Sequence, residues 1–210
     1  MPAVSVVEDR PSRGERRRGK LLEAARRVFL ERGFEGATLD AVIARAGGSR
    51  ATLYEQFGDK EGLFAAIIAE VCDDIQAPIA GGIGSDRDPG TALQAFALRF
   101  LMRLMEPESL ALYRLVVAES RRFPKLGAQV FAAGPERAAR SLADYLRAET
   151  KAGRLVVRDA DAAVRIFLEM IKGDLHTRAL FGAGKPPSKR EIEATVTLAV
   201  RIFLSGVRAG

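Results

Sequence analysis

Apolar positions recur with the period of an α-helix on both sides of a short glycine turn between Thr38 and Phe57. Gly47-Gly48 forms this turn, where glycine supplies the positive φ that a tight connection between packed helices requires. After the turn, Leu53 and Phe57 lie four residues apart and therefore share one helical face. Before the turn, the apolar positions with three- and four-residue spacing are Leu39, Val42, Ile43 and Ala46. The pattern predicts two short helices joined by a tight turn.

Hydroxyl residues stand just before each of these helices. Thr38 and Ser49 are the predicted N-caps, whose side-chain oxygen accepts an orphan backbone N–H. The outward side of the second helix carries short or hydrogen-bonding side chains: Arg50, Ala51, Thr52, Tyr54, Glu55 and Gln56. A helix N-terminus attracts phosphate, and a helix-turn-helix inserts this end of its second helix into the major groove of DNA. The same spacing also occurs in helical hairpins that do not bind DNA.

The remaining segments are also helical in pattern. An apolar face runs from Glu15 to Arg32 and stops at Gly33, and another stripe continues from Leu63 to about Ala77. Further helices are predicted at residues 91–105, 108–122, 136–152, 160–181 and 189–208. Prolines fall at or beside their boundaries, where a missing N–H is harmless, and no alternating strand pattern exceeds a few residues. The predicted fold is all-α, with an N-terminal three-helix helix-turn-helix domain and a C-terminal helical domain.

The run AGGSRATLYEQFGDKEGLF, preceded by LERGFEGATLDAVIARA, resembles the N-terminal DNA-binding domain of the TetR (TetR/AcrR) family of bacterial transcriptional repressors. The resemblance covers roughly residues 15–75. It departs at one position, because the residue before Ser49 is usually apolar, such as Val, and is Gly48 in this chain. A looser resemblance, from about Leu112 to Gly182, is to the C-terminal domain of the AefR-like branch of that family.

Two prolines and a mixed-charge set predict that residues 1–13 form a disordered basic arm. The resemblance implies a helix-turn-helix DNA-binding domain (14–62) and a helical ligand-binding and dimerisation domain (63–210). It implies a homodimer that binds a palindromic operator in double-stranded DNA and most often represses. A small, mostly apolar effector would release it by favouring one spacing of the two DNA-reading heads over another. Two alternatives remain open: a constitutive DNA-binding regulator without a ligand, and a helical carrier of apolar molecules that keeps the helix-turn-helix as a scaffold.

In this interpretation Arg50 contacts a base edge, most plausibly guanine. Ala51 lets the backbone approach closely, and Thr52 touches base or phosphate. The residues expected to hold the sugar-phosphate backbone are Thr38, Ser49, Tyr54, Gln56 and Lys60. The basic run ahead of the domain is either a solvated tail or a phosphate or minor-groove contact: Arg10, Arg13, Arg16, Arg17, Arg18 and Lys20.

The C-terminal half offers candidates for two sites. Effector-pocket candidates are Phe96, Phe100, Met105, Tyr113, Phe131, Tyr145, Phe167, Met170 and His176. Dimer-interface candidates, on the last two predicted helices, are Phe167, Ile171, Ile192, Val196, Ala199 and Phe203. Core packing is the alternative for every residue in both sets. Pairing is favoured because one recognition helix covers too few base pairs to be selective.

Composition narrows the function further. The formal net charge of +6 suits a polyanion, although the basic excess is not concentrated in the first 62 residues. The single cysteine, Cys72, excludes an internal disulfide and is expected to pack in the core, with a redox-sensing thiol as the alternative. The single histidine, His176, excludes a multi-histidine metal site, and no cofactor is expected. The sequence contains no recognisable Ser/His/Asp set and no Gly-rich phosphate loop, so we do not expect an enzyme.

The sequence has no apolar stretch of about 18 residues and no secretory signal pattern. We therefore expect a cytoplasmic protein without a membrane partner.

Overall fold

The computed structural model of the chain describes residues 12–80 and 88–207, with the side chains of 76–80 left out. Contacts within the chain are concentrated in two compact units, Met1–Ala66 and Ile67–Gly210. The described residues contain helices and no strand, and the predicted all-α fold class is confirmed. None of the described helices is both long and apolar enough to cross a membrane.

The N-terminal unit is built from three helices and the start of a fourth: α1 (Arg13–Gly36), α2 (Leu39–Ala46), α3 (Arg50–Phe57) and α4 (Lys60–Ala80). A capping box opens α1, in which the Glu15 amide donates to Ser12 Oγ at 3.1 Å and the Ser12 amide donates to Glu15 Oε2 at 2.6 Å. Gly33, at φ 70°, interrupts the helical backbone near the end of α1. Of the predicted disordered arm, residues 1–11, with Arg10, lie outside the described residues, while Arg13 and the rest of the basic run, up to Lys20, belong to α1.

Three phenyl rings form the centre of the N-terminal unit. Phe29 and Phe34 stack at 5.7 Å between ring centroids, and Phe64 meets them edge-on at 4.9 and 5.9 Å. All three side chains are fully buried. Phe29 and Phe34 lie on either side of Gly33 near the end of α1, and Phe64 lies at the start of α4. Their packing holds these two helices together and forms the core that supports α2 and α3.

Within residues 88–207, seven helices and one π-helical turn follow α4: α5 (Pro89–Leu104), α6 (Pro107–Glu119), α7 (Pro124–Phe131), the π turn (Ala132–Glu136), α8 (Arg137–Lys151), α9 (Ala160–Lys172), α10 (Leu175–Phe181) and α11 (Lys189–Val207). Two features differ from the sequence prediction. The helix α7 was not predicted, and the single helix expected over 160–181 breaks at Gly173, whose φ of 51° ends α9.

The core of the C-terminal unit lies between α5, α8, α9 and α11. Phe167 of α9 and Phe203 of α11 pack with ring centroids 4.4 Å apart. The residues predicted for the dimer surface, on the apolar stripes of the last helices, pack within this core, which is the alternative that the sequence left open. All six are buried inside the chain: Phe167, Ile171, Ile192, Val196, Ala199 and Phe203. An apolar stripe with helical spacing marks a buried helical face, and such a face can pack either in the core of its own chain or against a partner chain.

The predicted effector-pocket residues lie in different surroundings. Phe96, Phe100, Tyr145 and Phe167 belong to the core, with Met105 and Met170 partly buried against it. Tyr113 and Phe131 are exposed, whereas His176 is buried with its ring edge-on to Tyr113 at 5.1 Å. A groove of about 640 Å³ lies elsewhere, between α5 and α11, and none of the nine candidates lines it.

Cys72 is a core residue, as the preferred prediction had it. Burial raises the pKa of its thiol to about 11, so the sulfur is a protonated thiol at neutral pH. Gly134 of the π turn packs against the same face of α4, because a Cβ there would lie 2.8 Å from Ile68 Cγ2 and 3.5 Å from Cys72 Sγ. A buried, protonated thiol is a poor nucleophile, which argues against the redox-sensing alternative.

Candidate nucleic-acid interface

The predicted helix-turn-helix is present as α2, a glycine turn and α3. Thr38 Oγ1 accepts the Ala41 amide at 3.2 Å and Ser49 Oγ accepts the Thr52 amide at 3.2 Å, so both predicted N-caps are formed. The Gly47 amide donates to Ile43 O at 2.8 Å and closes α2 with φ at 73°. These local bonds end α2 and start α3 within a few residues, which sets the direction of α3.

The two faces of α3 have different surroundings. Leu53 and Phe57 are buried against the rest of the unit, as their spacing predicted. The opposite face is open to solvent at Arg50, Ala51, Tyr54, Glu55 and Gln56. Tyr54 leaves 52% of its surface exposed although it is aromatic. A solvent-facing ring beside small and hydrogen-bonding side chains is typical of a surface that receives a partner.

Thr52 is half-buried, and its hydroxyl lies 3.0 Å from that of Ser49. The Ser49 oxygen serves as a capping acceptor, yet a hydroxyl used in this way still has its own O–H to donate. Ser49 and Thr38 are therefore fixed by their caps. The Thr38 hydroxyl retains its O–H for a phosphate oxygen, and that of Ser49 does so when Thr52 is the donor of the pair between them.

Basic residues of α1 lie beside the end of α3 and beside the glycine turn that precedes it. The Arg18 guanidinium lies over the Phe57 ring, 4.8 Å from its centroid. At the other end, a Cβ on Gly48 would lie 3.2 Å from Arg17 Nη2, and Gly48 has φ 119°. Glycine at the position that is usually apolar thus leaves room for Arg17. The predicted basic tail is, over these residues, a part of the helix-turn-helix unit.

Arg50, the predicted base-reading residue, is paired with Asp40 of α2. Arg50 Nε donates to Asp40 Oδ1 at 2.6 Å, and Nη2 donates to Oδ2. This hydrogen bond holds the pKa of Asp40 below its ordinary value and raises that of Arg50, so both groups are charged. Sequence reasoning missed Asp40, because ten residues across a turn correspond to no helical period; the bridge becomes visible only when α2 and α3 are placed side by side.

Lys60 is placed differently from its predicted role as a phosphate contact. Its ammonium lies 2.9, 3.3 and 3.2 Å from the carbonyl oxygens of Phe34, Glu35 and Ala37, and donates to all three. The same nitrogen is 4.6 Å from the centroid of the Phe34 ring. An ammonium has three N–H donors, so a phosphate would have to displace one of these carbonyls. Lys60 thereby ties the start of α4 to the end of α1.

A Lys60→Met substitution is accordingly expected to destabilise the N-terminal unit by about 1–3 kcal/mol, because the carbonyls lose a charged donor. Thermal unfolding followed by circular dichroism measures this, with Lys20→Met on the exposed side of α1 as control, expected within about 0.5 kcal/mol of wild type. The slope of log affinity for DNA against log salt should be unchanged. Unchanged stability, together with a salt slope smaller in magnitude by about 0.9, would show instead that Lys60 contacts a phosphate.

Comparison with known proteins agrees with this geometry. Residues 21–67 match the family model of bacterial regulatory proteins of the tetR family, and residues 91–206 match the AefR-like transcriptional repressor C-terminal domain. The HTH-type transcriptional activator FasR of Mycolicibacterium smegmatis is 32% identical over 133 residues, which are 59% of this chain and 60% of FasR. The repressor AcnR of Corynebacterium glutamicum is 47% identical over 53 residues, 25% of this chain and 28% of AcnR.

This chain thus spans less than two thirds of the length of either curated relative. Solved structures extend the similarity over the whole fold. A TetR-family regulator from Mesorhizobium loti superposes with a TM-score of 0.79 at 28% identity, covering 95% of this chain and 100% of its own. The flavonoid-responsive regulator FrrA superposes with a TM-score of 0.70 at 30% identity, covering 92% and 97%.

These proteins are transcription regulators and not enzymes. The helix-turn-helix geometry, the two family models and the structural similarity along nearly the full chain lead to one conclusion. The chain belongs to the TetR family of DNA-binding transcriptional regulators, with an AefR-like C-terminal domain.

Proposed function

We propose that this protein is a ligand-responsive homodimer that represses transcription from a palindromic operator and leaves it when a small, mostly apolar effector binds. The observation that carries the proposal is the solvent-facing side of α3, where Arg50, Ala51 and Tyr54 follow the Ser49 cap. In this proposal residues 14–62 form the DNA-binding domain and 63–210 the ligand-binding and dimerisation domain. The separation of contacts at Ala66 supports that division.

Each exposed side chain of α3 has a role in the proposed complex. Arg50 reads a guanine, since a guanidinium matches the O6 and N7 acceptors in the major groove. Ala51 keeps the backbone close to the DNA, and Thr52 touches base or phosphate. Tyr54 and Gln56 donate to the sugar-phosphate backbone, as do the capping hydroxyls of Thr38 and Ser49 at the helix starts.

An Arg50→Ala substitution is expected to relax selectivity at one base pair of each half-site by about 5- to 150-fold, the range that a good bidentate contact supplies. Affinity for unrelated DNA should change far less. Fluorescence anisotropy on an operator and on variants with each guanine replaced measures both quantities. Equal loss on operator and random DNA would remove Arg50 from base recognition.

The proposed dimer uses the outer side of α9 and α11. These helices run antiparallel, because Phe167 packs on Phe203 while Gly173 lies beside Thr195. In an antiparallel pair, the residues that precede two facing positions project to the same side. Ile166 and Ile202 occupy those positions and are 63% and 54% exposed. Leu198, one turn before Ile202, is 47% exposed and extends an apolar surface that pairing would cover.

Two observations support a small effector. FrrA, by its name, responds to flavonoids, which are flat and largely apolar. Within the described residues, the buried Nε2 of His176 has no hydrogen-bond partner. Burial, and secondarily Lys172, lowers the pKa of this imidazole, which is therefore neutral at pH 7 and able to exchange a hydrogen bond with a polar group of an apolar ligand.

Experiments can distinguish a repressor from an activator and an effector-released regulator from a constitutive one. FasR is an activator and AcnR a repressor, so the sign of regulation follows from transcription assays with and without the protein. A constitutive regulator would keep its DNA affinity in the presence of every compound that binds it. Titration with a flavonoid panel, followed by DNA anisotropy, separates that case from an effector-released repressor.

Selection of bound duplexes from a randomised pool tests the proposal as a whole. We expect an inverted repeat, because a two-fold dimer presents the same recognition helix to each half-site. Recovery of a single unrepeated half-site would contradict the dimer. Recovery of no enriched sequence would contradict DNA reading itself and move the carrier hypothesis forward.

A further inference from the structure

Arg50 is held along one edge by Asp40, and the geometry of that contact limits what the guanidinium can do. Its Nε and Nη2 each donate to a different oxygen of the same carboxylate. Arg50 is the first residue of α3, whereas Asp40 lies in the first turn of α2. The pair therefore ties the base-reading side chain to the neighbouring helix and not to its own.

A planar guanidinium offers its five N–H donors along separate edges. Asp40 takes the side edge formed by Nε and Nη2. The end edge, formed by Nη1 and the second hydrogen of Nη2, points away from the carboxylate. Two parallel donors of this kind match O6 and N7 of guanine. With the side edge fixed, the plane and direction of the end edge are fixed as well, before any DNA arrives.

The pair contributes little to the fold, since the two side chains are 67% and 59% exposed and such pairs are screened by water and salt. A carboxylate beside a DNA-reading helix also repels phosphate. Asp40 thus neither stabilises a core nor attracts DNA. What the geometry of this contact does is orient the Arg50 side chain.

We propose that Asp40 is a specificity-determining positioning residue, which holds Arg50 so that its free edge meets one guanine of each operator half-site; this rests on the proposed DNA-reading function. The advantage is preorganisation: a long side chain already held in its bound conformation loses less rotamer freedom on binding. A guanidinium without the carboxylate still reaches DNA, with more ways to contact phosphate or the wrong base.

The test uses the full chain and operator duplexes in which each guanine in turn is replaced by 7-deazaguanine, which lacks the N7 acceptor. Wild type is expected to lose affinity by about fivefold or more at one guanine per half-site. Arg50→Ala should lose this sensitivity, and Asp40→Asn should lose most of it, while its affinity for scrambled DNA stays equal or rises. Asp40→Glu, which keeps the carboxylate, should recover part of the sensitivity.

Glu31→Gln is the matched control. Glu31 pairs with Arg45 of α2 at 2.8 Å, so this change also removes one exposed carboxylate and one arginine pair from the same unit. We expect its sensitivity to 7-deazaguanine to equal that of wild type. An equal loss in Glu31→Gln and Asp40→Asn would show a general charge effect and overturn the proposal.

Two other outcomes would overturn it in different ways. Tighter operator binding by Asp40→Asn with unchanged guanine sensitivity would show that Asp40 competes with DNA for Arg50. Wild type that does not distinguish operator from scrambled DNA would refute the proposed function, and the inference with it. Operator preference in wild type, combined with lost guanine sensitivity in an Asp40→Asn protein of unchanged melting temperature, supports the positioning role alone.

Discussion

A Phe64→Ala substitution is expected to destabilise the N-terminal unit by about 3–5 kcal/mol, the usual cost of removing a fully buried phenyl ring. The loss is large because Phe64 meets both Phe29 and Phe34 edge-on, so both rings lose a partner. A unit of this size has a stability of roughly 0.05–0.15 kcal/mol per residue, and such a loss takes most of it. DNA binding should fall for every sequence alike.

Denaturant unfolding followed by circular dichroism measures this effect. Leu30→Ala, on α1 of the same unit, is the control, since Leu30 is exposed and its removal should shift stability by about 0.5 kcal/mol or less. An equal change in the free energy of unfolding for the two substitutions would mean that the three-ring cluster does not stabilise the N-terminal unit more than an exposed side chain does.

An Ile202→Glu substitution is expected to convert the proposed dimer to a folded monomer and to lower operator affinity by a factor on the order of 10²–10⁴. The exposed side of α9 and α11 would then carry a charge at its centre, and desolvating an unpaired charge prevents pairing. Without a partner the second half-site contact is lost, which removes the gain from bivalent binding. Light scattering after size-exclusion chromatography gives the mass, and anisotropy gives the affinity.

Val117→Glu is the matched control, because Val117 is a similarly exposed β-branched residue on α6. It should remain a dimer with wild-type operator affinity. Phe203→Ala, one residue from Ile202, should instead reduce stability, because that ring packs on Phe167 in the core. A dimeric Ile202→Glu protein would show that another surface pairs the chains.

Local signals predicted the helix-turn-helix well. Thr38 and Ser49 form the caps that their residue types favour, and Gly47 closes α2 as a turn glycine should. Leu53 and Phe57 are buried together because a four-residue spacing fixes a shared face in any helix of this length. These features depend on neighbours within about one turn, which is the range over which sequence patterns act.

Contacts across longer distances were not predictable in this way. Lys60 donates to three carbonyls 23 to 26 residues earlier, an arrangement that depends on the interruption of the helical backbone at Gly33, near the end of α1. Phe203 was assigned to a dimer surface because an apolar stripe does not reveal whether its partner is in the same chain. The Asp40–Arg50 pair likewise requires α2 and α3 to be placed side by side.

Weak local propensity explains the missed α7. Its eight residues begin with Pro124 and include Gly127, and Pro135 follows in the π turn. Burial of Leu126 and Val130 stabilises the helix through tertiary packing. The break at Gly173 was missed because the helical pattern is strong on both sides of it. The apolar positions before and after Gly173 suggested one continuous helix.

The most direct test of DNA reading is the affinity of the purified full chain for the intergenic DNA beside its own reading frame and for a scrambled duplex, by anisotropy at several salt concentrations. We expect a salt-sensitive preference of about a thousandfold or more for the intergenic DNA, reduced by about 5- to 150-fold in Arg50→Ala. Equal, weak binding to both duplexes at every salt concentration would contradict the assignment of the exposed face of α3 as a sequence-reading surface.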